Sequence, residues 1–197
     1  MELTTKLTAI AKMHGGIIET RIAVQNGISK TMIAKLCKEN KIHRISRGQY
    51  ILVEDIQDEL LSISKRSENI IFSHETALYL NGISDRTPFE HTITVPSGYK
   101  PSSIIKAECK VYFVKPEWFA LGKTTLKTPA GNDVAVYDLE RTICDVIRSR
   151  NKIGTETFLA SLRLYALNPK KDLNKLNLYA KELRVSNVLR QYLEVLL

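Results

Sequence analysis

Apolar residues recur at helical spacing at the start of the chain. Leu3, Leu7 and Ile10 fall on one face of a helix of 3.6 residues per turn. The pair Gly15-Gly16 follows directly and is expected to end this helix, because glycine tolerates the left-handed backbone of a helix exit. The segment therefore begins with an amphipathic helix that has one face to bury.

Two further short helices and a hairpin are predicted after it. Thr20 stands where it can cap a second helix that stops at Gly27, and Ser29 stands where it can cap a third that reaches residue 39 or 40. Alternating residues in 42–52, interrupted at Gly48, predict a small hairpin. The order of helix, helix, turn, helix and hairpin is typical of a winged helix-turn-helix.

The third predicted helix has two faces of opposite character. Its apolar face holds Met32, Ile33, Leu36 and Cys37. The other face holds small side chains and hydrogen-bond donors: Lys30, Thr31, Ala34, Lys35 and Lys38, preceded by the Ser29 cap. A recognition helix needs an apolar back for docking and a donor-rich front for the major groove. We therefore predict DNA contacts along this front, with Arg44 and Arg47 of the hairpin beside it.

The remainder of the chain predicts a different kind of domain. Residues 54–66 are expected to form a polar helix, and short strands and helices alternate after it, with a hairpin turn at 129–132. The last 45 residues show only helical spacing. The fold class is α+β: an N-terminal winged helix-turn-helix (1–54), a connecting helix (55–66), and a mixed α/β C-terminal domain ending in a helical bundle (67–197).

The charge distribution supports a polyanionic partner. The chain has 29 Lys and Arg against 21 Asp and Glu, for a net charge of +8. Residues 1–53 hold nine basic and three acidic side chains, and residues 151–197 hold eight and four. The C-terminal helices thus offer a second candidate basic patch for a polyanion, with a solubilising surface on a helical bundle as the alternative. Its candidate residues are Arg148, Arg150, Lys152, Arg163, Lys170, Lys171 and Lys175.

Cellular location and chemistry are constrained by what the sequence lacks. Cys37, Cys109 and Cys144 form no CxxC pair, and no segment resembles a signal peptide or a membrane span. We expect buried thiols, a cytoplasmic protein and no membrane partner. Phosphate-binding loops, HExxH and GxSxG motifs are absent, so no catalytic residue, metal site or cofactor is predicted.

One acidic and basic cluster has a structural interpretation. Asp138 is the first residue of the sequence DLERTICD and is expected to cap a helix, and Arg141 and Asp145 are spaced to form an ion pair. His74 and Glu75 are adjacent on a predicted helix and point about 100° apart, so they do not form a natural catalytic pair.

Three motifs in fixed order resemble the AbiEi family of antitoxins. These are SRGQYIL at the end of the predicted hairpin, FSHETALYLNGISDRTP followed by HTITVP, and VYDLERTICDVIR. The resemblance covers nearly the whole chain. It identifies the chain as similar to the antitoxins of type IV toxin–antitoxin systems, which act in abortive infection and phage defence.

The resemblance implies two activities. Family members repress their own operon by binding inverted repeats in the promoter, and they counteract a nucleotidyltransferase-like toxin without a stable complex. Transferred residue by residue, it places Ser29, Lys30, Thr31, Lys35 and Lys38 at the groove and Arg44 and Arg47 on the wing. We expect a monomer in solution, with two copies on the operator. The family motifs transfer no catalytic role.

Two other functions remain open at this point. One is an enzyme, a nuclease or toxin-modifying transferase, that a winged helix delivers to its target. The other is a protein-interaction module that masks a toxin directly. The absence of a phosphate cradle and of a clear acidic cluster weighs against the enzyme.

Overall fold

The structure, a computed structural model, describes residues 3–84 and 86–196, with side chains described up to residue 192 in the last helix. It is a mixed α+β fold with two sheets in the described residues. The chain divides into two compact units. The first runs to Lys65 and includes Thr128–Asn132, and the second holds Arg66–Lys127 and continues from Asp133. Residues 1, 2, 85 and 197 of the predicted domains lie outside the described ranges.

The first unit contains four helices and a three-stranded antiparallel sheet in its described residues. Their bounds are α1 Leu3–Met13, β1 Ile18–Glu19, α2 Thr20–Gln25, α3 Lys30–Lys38, β2 Ile42–Ser46, β3 Gln49–Leu52 and α4 Glu59–Ser64. The strand order is β1-β3-β2. The predicted apolar faces meet in one core, in which Leu7, Ile10 and Ile33 are buried. Gly27, with φ of +82°, provides the predicted left-handed exit between α2 and α3.

Two predictions for the first unit are wrong in detail. Thr20 does not cap α2: it is the first residue of the helix, and its hydroxyl donates to the Gly48 carbonyl at 3.2 Å. The polar helix expected over 54–66 is only the six-residue α4. It begins late because the Asp58 side chain accepts from the Leu61 backbone N–H at 3.0 Å and so caps the helix there.

The second unit is built on a five-stranded sheet. Its elements are β4 Ile71–Phe72, α5 His74–Leu80, β5 His91–Pro96, α6 Ser103–Glu108, β6 Cys109–Val114, α7 Pro116–Phe119, β7 Lys123–Lys127, β8 Asp133–Tyr137, α8 Leu139–Arg148, a 3₁₀ turn Arg150–Lys152, α9 Thr155–Leu167, α10 Leu173–Glu182 and α11 Ser186–Leu196. The strand order is β6-β5-β4-β8-β7, in which β5–β6 and β4–β8 are parallel pairs. Helices α6 and α7 were not predicted from the sequence.

The core of the second unit forms around α8. Ile143, Val146 and Ile147 are fully buried, as their spacing predicts, and Leu139 is partly buried. They pack with side chains of the three C-terminal helices, among them Leu162. Because neighbouring elements cover most of α8, its polar residues Glu140, Arg141, Thr142 and Asp145 are buried as well, whereas Arg148 at its end is exposed.

Candidate functional site

Helix α3 is held at both ends by its own sequence. The Ser29 hydroxyl oxygen accepts from the Met32 backbone N–H at 3.2 Å, which is the predicted cap. At the other end Asn40 adopts a left-handed φ of 52°, and the Lys41 N–H donates to the Leu36 carbonyl at 3.0 Å. The helix therefore has fixed limits, and its side chains have a defined direction.

The two faces of α3 separate nearly as the pattern predicts. Ile33 and Leu36 are 1% and 3% exposed and anchor the helix to the core of the first unit. The front is exposed throughout: Ser29, Lys30, Thr31, Ala34, Lys35 and Lys38. Met32 departs from the prediction, because it is 37% exposed and does not belong to the buried face.

Nearby carboxylates neutralise the lysines of this front only weakly. Lys35 Nζ lies 3.8 Å from a Glu39 carboxylate oxygen, and Glu39 is also 3.3 Å from Lys41 Nζ. Exposed pairs of this kind contribute about 0–1 kcal/mol. A phosphate group can replace Glu39 as the partner of Lys35 at little cost.

The β2–β3 hairpin presents two more cations. Arg44 and Arg47 are exposed, and the Arg44 Nε–H donates to the Ser46 carbonyl at 3.2 Å. The buried Gln49 side chain fixes the base of the hairpin: its Nε2 donates to the Ser62 carbonyl at 3.1 Å, and its Oε1 accepts from the Ser62 hydroxyl at 2.7 Å. The sequence pattern does not predict that Gln49 is buried. Its position between Gly48 and the apolar residues of the strand is the one local feature that could have indicated it.

The predicted second basic patch is divided into separate groups. Arg148 and Lys152 line one cavity at the end of α8, whereas Arg150 lines another depression. Lys175 is paired, because its Nζ lies 2.9 Å from an Asp138 carboxylate oxygen and 3.9 Å from one of Glu140. The remaining members lie on α9 or in the turn after it: Arg163, Lys170 and Lys171.

The DLERT segment forms the predicted helix cap and ion pair. The Asp138 side chain accepts from the Arg141 N–H at 2.9 Å, and Arg141 Nε donates to Asp145 Oδ2 at 3.0 Å. The sequence did not indicate that this ion pair is buried: Arg141 is 0% exposed and Asp145 is 4% exposed. Burial raises the pKa of Asp145, and the Arg141 charge opposes that rise.

His74 is the most constrained polar residue of the second unit. It opens α5 with a left-handed φ of 46° and is 3% exposed. Its Nδ1 lies 2.9 Å from the Ser73 hydroxyl and its Nε2 lies 3.0 Å from the Ser149 hydroxyl, while the ring stacks on Tyr112 with centroids 3.5 Å apart. Ser73, at the N-cap position of α5, makes no side-chain bond to the helix, and its Oγ accepts from the Thr94 hydroxyl at 2.8 Å.

The surroundings of His74 keep its imidazole neutral. Burial lowers its pKa well below the usual value, and the positive charges of Lys110, Arg141, Arg148 and Lys152 lower it further. A neutral imidazole has one donor and one acceptor nitrogen, so one of its two serine partners donates to it and the other accepts.

We expect the second unit to lose stability on acidification because of His74. Its pKa is lower in the folded than in the unfolded chain, so below about pH 6.5 the unfolded chain binds a proton that the folded chain excludes. Between pH 6.5 and the folded pKa, this residue contributes a slope of up to about 1.4 kcal/mol per pH unit. Urea unfolding followed by tryptophan fluorescence measures it, since the single tryptophan, Trp118, lies in this unit.

The matched variant for this measurement is His74→Asn. Asparagine does not titrate and tolerates a positive φ better than most residues. The difference in slope between the two proteins isolates His74 from Asp145 and the other acids. Parallel stability curves from pH 7 to pH 5 would show that the imidazole is not excluded from protonation.

Within residues 3–84 and 86–196, no three His, Cys, Asp or Glu side chains are placed to hold a metal ion. None of the helices in that part of the chain combines the length and the apolar character that crossing a membrane requires.

The fold is similar to that of a solved structure, the RV2827C protein from Mycobacterium tuberculosis. The TM-score is 0.66 at 14% sequence identity, and the match covers 94% of this chain and 75% of that chain. A likeness at this identity shows the fold alone. No protein-family profile matches the sequence, and no curated protein matches it.

Proposed function

We propose that the first unit is a winged helix-turn-helix that binds DNA. The observation that carries this proposal is the exposed cationic front of α3, Lys30, Lys35 and Lys38 around Thr31 and Ala34, opposite a buried apolar face. The element order of three helices followed by a hairpin supports it. Duplex DNA is the partner that suits a narrow helix of this charge and shape.

The proposed contacts fall into two groups. Arg44, Arg47 and Lys38 bind phosphates or the minor groove and supply most of the affinity. Lys30, Thr31, Ala34 and Lys35 face base edges, where lysine donates to guanine acceptors and small side chains contact a thymine methyl group. The free amides at the capped start of α3, next to Ser29, suit a phosphate oxygen.

The wider proposal is an antitoxin that represses its own operon. It rests on the AbiEi-like motifs: the first unit binds inverted repeats in the promoter, and the second unit counteracts a nucleotidyltransferase-like toxin. Two copies are expected on the operator, about one helical turn or a multiple of it apart. The protein then has no enzymatic activity of its own and needs no cofactor.

Lys35→Ala is expected to weaken binding to promoter DNA by about 1–3 kcal/mol, or roughly 5- to 150-fold, if the ammonium group contacts a base. The variant should also discriminate less between bases at one operator position. A gel-shift titration with the promoter fragment and single-base variants of it measures both effects. The substitution is at an exposed position, so the fold is retained.

Lys6→Ala is the control for that titration. Lys6 is an exposed lysine of the same unit, on α1 and outside the α3 front. Its removal lowers the net charge equally and should change affinity little. Equal losses in the two variants would mean that the affinity reflects overall charge and that Lys35 reads no base.

The antitoxin activity is tested by coexpression with the nucleotidyltransferase of the neighbouring reading frame. The full chain is expected to restore growth, and so is the triple variant Lys30→Ala/Lys35→Ala/Lys38→Ala, which should no longer repress a promoter–reporter fusion. Continued growth arrest with the folded full chain would contradict the antitoxin proposal. Loss of both activities in the triple variant would contradict their assignment to separate units.

A further inference from the structure

A cavity of about 410 Å³ lies in the second unit, and none of its lining residues belongs to the proposed DNA-binding surface. It is bounded by the start of α5, strand β6 and the end of α8 with the turn after it. Its polar lining includes His74, Lys110, Tyr112, Arg148, Ser149 and Lys152. The volume falls in the range of pockets that hold small organic ligands.

The charges of this lining are mostly positive. Lys110, Arg148 and Lys152 are the cations of the lining, and Asp145 is its one carboxylate. The charge of Asp145 is already neutralised by Arg141. Lys110 Nζ donates to the Lys152 carbonyl at 2.9 Å and lies 3.8 Å from a Glu75 oxygen. Among the described residues, no carboxylate lies within 4 Å of the charged groups of Arg148 or Lys152.

The three cations line the same cavity as His74. The Arg148 guanidinium makes a cation–π contact with Trp118, since its Cζ lies 5.2 Å from the centre of the Trp118 ring. Burial lowers the pKa of His74, and the charges of Lys110, Arg148 and Lys152 lower it further, which agrees with their position around the same cavity. The Ser149 hydroxyl, bonded to His74 Nε2, is a neutral donor at the same wall.

We propose that this cavity binds a phosphate dianion, carried by a small phosphate monoester or present as the free ion. A phosphate group has a charge of about −1.5 to −2 at neutral pH and three acceptor oxygens. That matches two unpaired cations, a third that is partly paired, and a hydroxyl donor. The arginine fork suits two of the phosphate oxygens at once. The cavity is much larger than a phosphate ion, which favours the monoester.

Phosphate binding in this cavity is independent of the proposed DNA-binding and antitoxin activities, so its test needs neither DNA nor toxin. Inorganic phosphate and 5′-AMP are titrated into the full-length protein at low salt by isothermal calorimetry, with Trp118 emission as a second readout. Both probes are expected to bind saturably, with 5′-AMP at least about tenfold tighter if the organic part occupies the remaining volume. Equal affinity of the two probes indicates the free ion.

The variants Arg148→Gln and Lys152→Gln are each expected to weaken binding about tenfold or more, because each removes a charge-assisted hydrogen bond. Both side chains are exposed, so the fold is retained, and circular dichroism verifies this. Arg163→Gln and Lys6→Ala, which remove exposed cations outside the cavity and outside the α3 front, should leave the affinity unchanged. Absence of saturable binding of both probes up to 10 mM, or equal weakening by the control variants, overturns the proposal.

Discussion

Replacing Arg141 by methionine is expected to lower the free energy of unfolding of the second unit by about 3–5 kcal/mol. The arginine has no contact with solvent, and Met removes its charge while keeping most of its length. Asp145, left without the partner that is 3.0 Å from it, becomes an isolated charge in the core. The carbonyls of Trp118 and Leu121, which accept from Arg141 Nη1 at 2.7 and 2.6 Å, lose their donor as well.

The loss should depend on pH in a defined direction. Burial already raises the pKa of Asp145, and without the opposing Arg141 charge the pKa rises further. A group whose pKa is raised by folding contributes stability that disappears as the pH increases through the folded pKa. The variant should therefore be closer to the wild-type protein at pH 5 than at pH 8, as measured by urea unfolding with Trp118 emission.

Two controls separate the buried pair from a general loss of charge. Lys175→Met removes a partly exposed lysine that pairs with Asp138 at 2.9 Å, and it should cost about 1 kcal/mol or less. Adding Asp145→Leu to Arg141→Met removes the unpaired charge and should recover part of the stability. An Arg141→Met protein as stable as the Lys175→Met protein would show that the buried pair contributes little.

The sequence predicts those features that depend on neighbours within one turn or hairpin. The caps at Ser29 and Asp138 and the pair Arg141–Asp145 all join residues three or four positions apart, so local spacing is sufficient to find them. The hairpin at 129–132 follows from its turn residues in the same way. The buried face of α3 also follows from periodicity, with Met32 as the exception.

The strand order and the cavity depend on long-range contacts, which periodicity does not contain. The order β6-β5-β4-β8-β7 brings Phe72 beside Val136, far apart in sequence. The sequence places His74 beside Ser73 and Glu75, whereas its Nε2 is bonded to Ser149, 75 positions away. No local pattern links these residues, so the candidate phosphate site was not foreseen, although Arg148 and Lys152 were already named as candidate cations.

The two compact units are not consecutive stretches of the sequence, because one short segment between two strands of the second unit belongs to the first. Thr128–Asn132 belongs to the first unit although the strands on either side belong to the second. The Asp58 carboxylate explains this: its Oδ2 accepts from the Thr128 hydroxyl at 2.6 Å and from the Asn132 side-chain amide at 2.8 Å. A buried carboxylate requires such donors. The sequence predicted the turn but contained no signal for its partner.

Binding to promoter DNA is expected to fall by about three orders of magnitude between 50 and 200 mM salt, the largest effect anticipated for this protein. Each phosphate that a lysine or arginine neutralises releases condensed counterions, and five to seven such contacts give a log–log slope of roughly −5 to −6. The exposed cations of α3 and the hairpin are Lys30, Lys35, Lys38, Arg44 and Arg47. Lys38, Arg44 and Arg47 are the proposed phosphate contacts, and Lys30 and Lys35 in the groove displace counterions as well.

The slope of a salt titration also locates the contacts. Arg47→Gln removes an exposed cation at the hairpin tip, and should reduce the slope by about one and weaken binding to promoter and random DNA alike, because a phosphate contact carries no sequence information. Arg163→Gln, on α9, should leave the slope unchanged if that helix does not touch DNA. A slope near zero for the wild-type protein would exclude binding through the cationic front of α3, since no arrangement of these charges on a duplex is insensitive to salt.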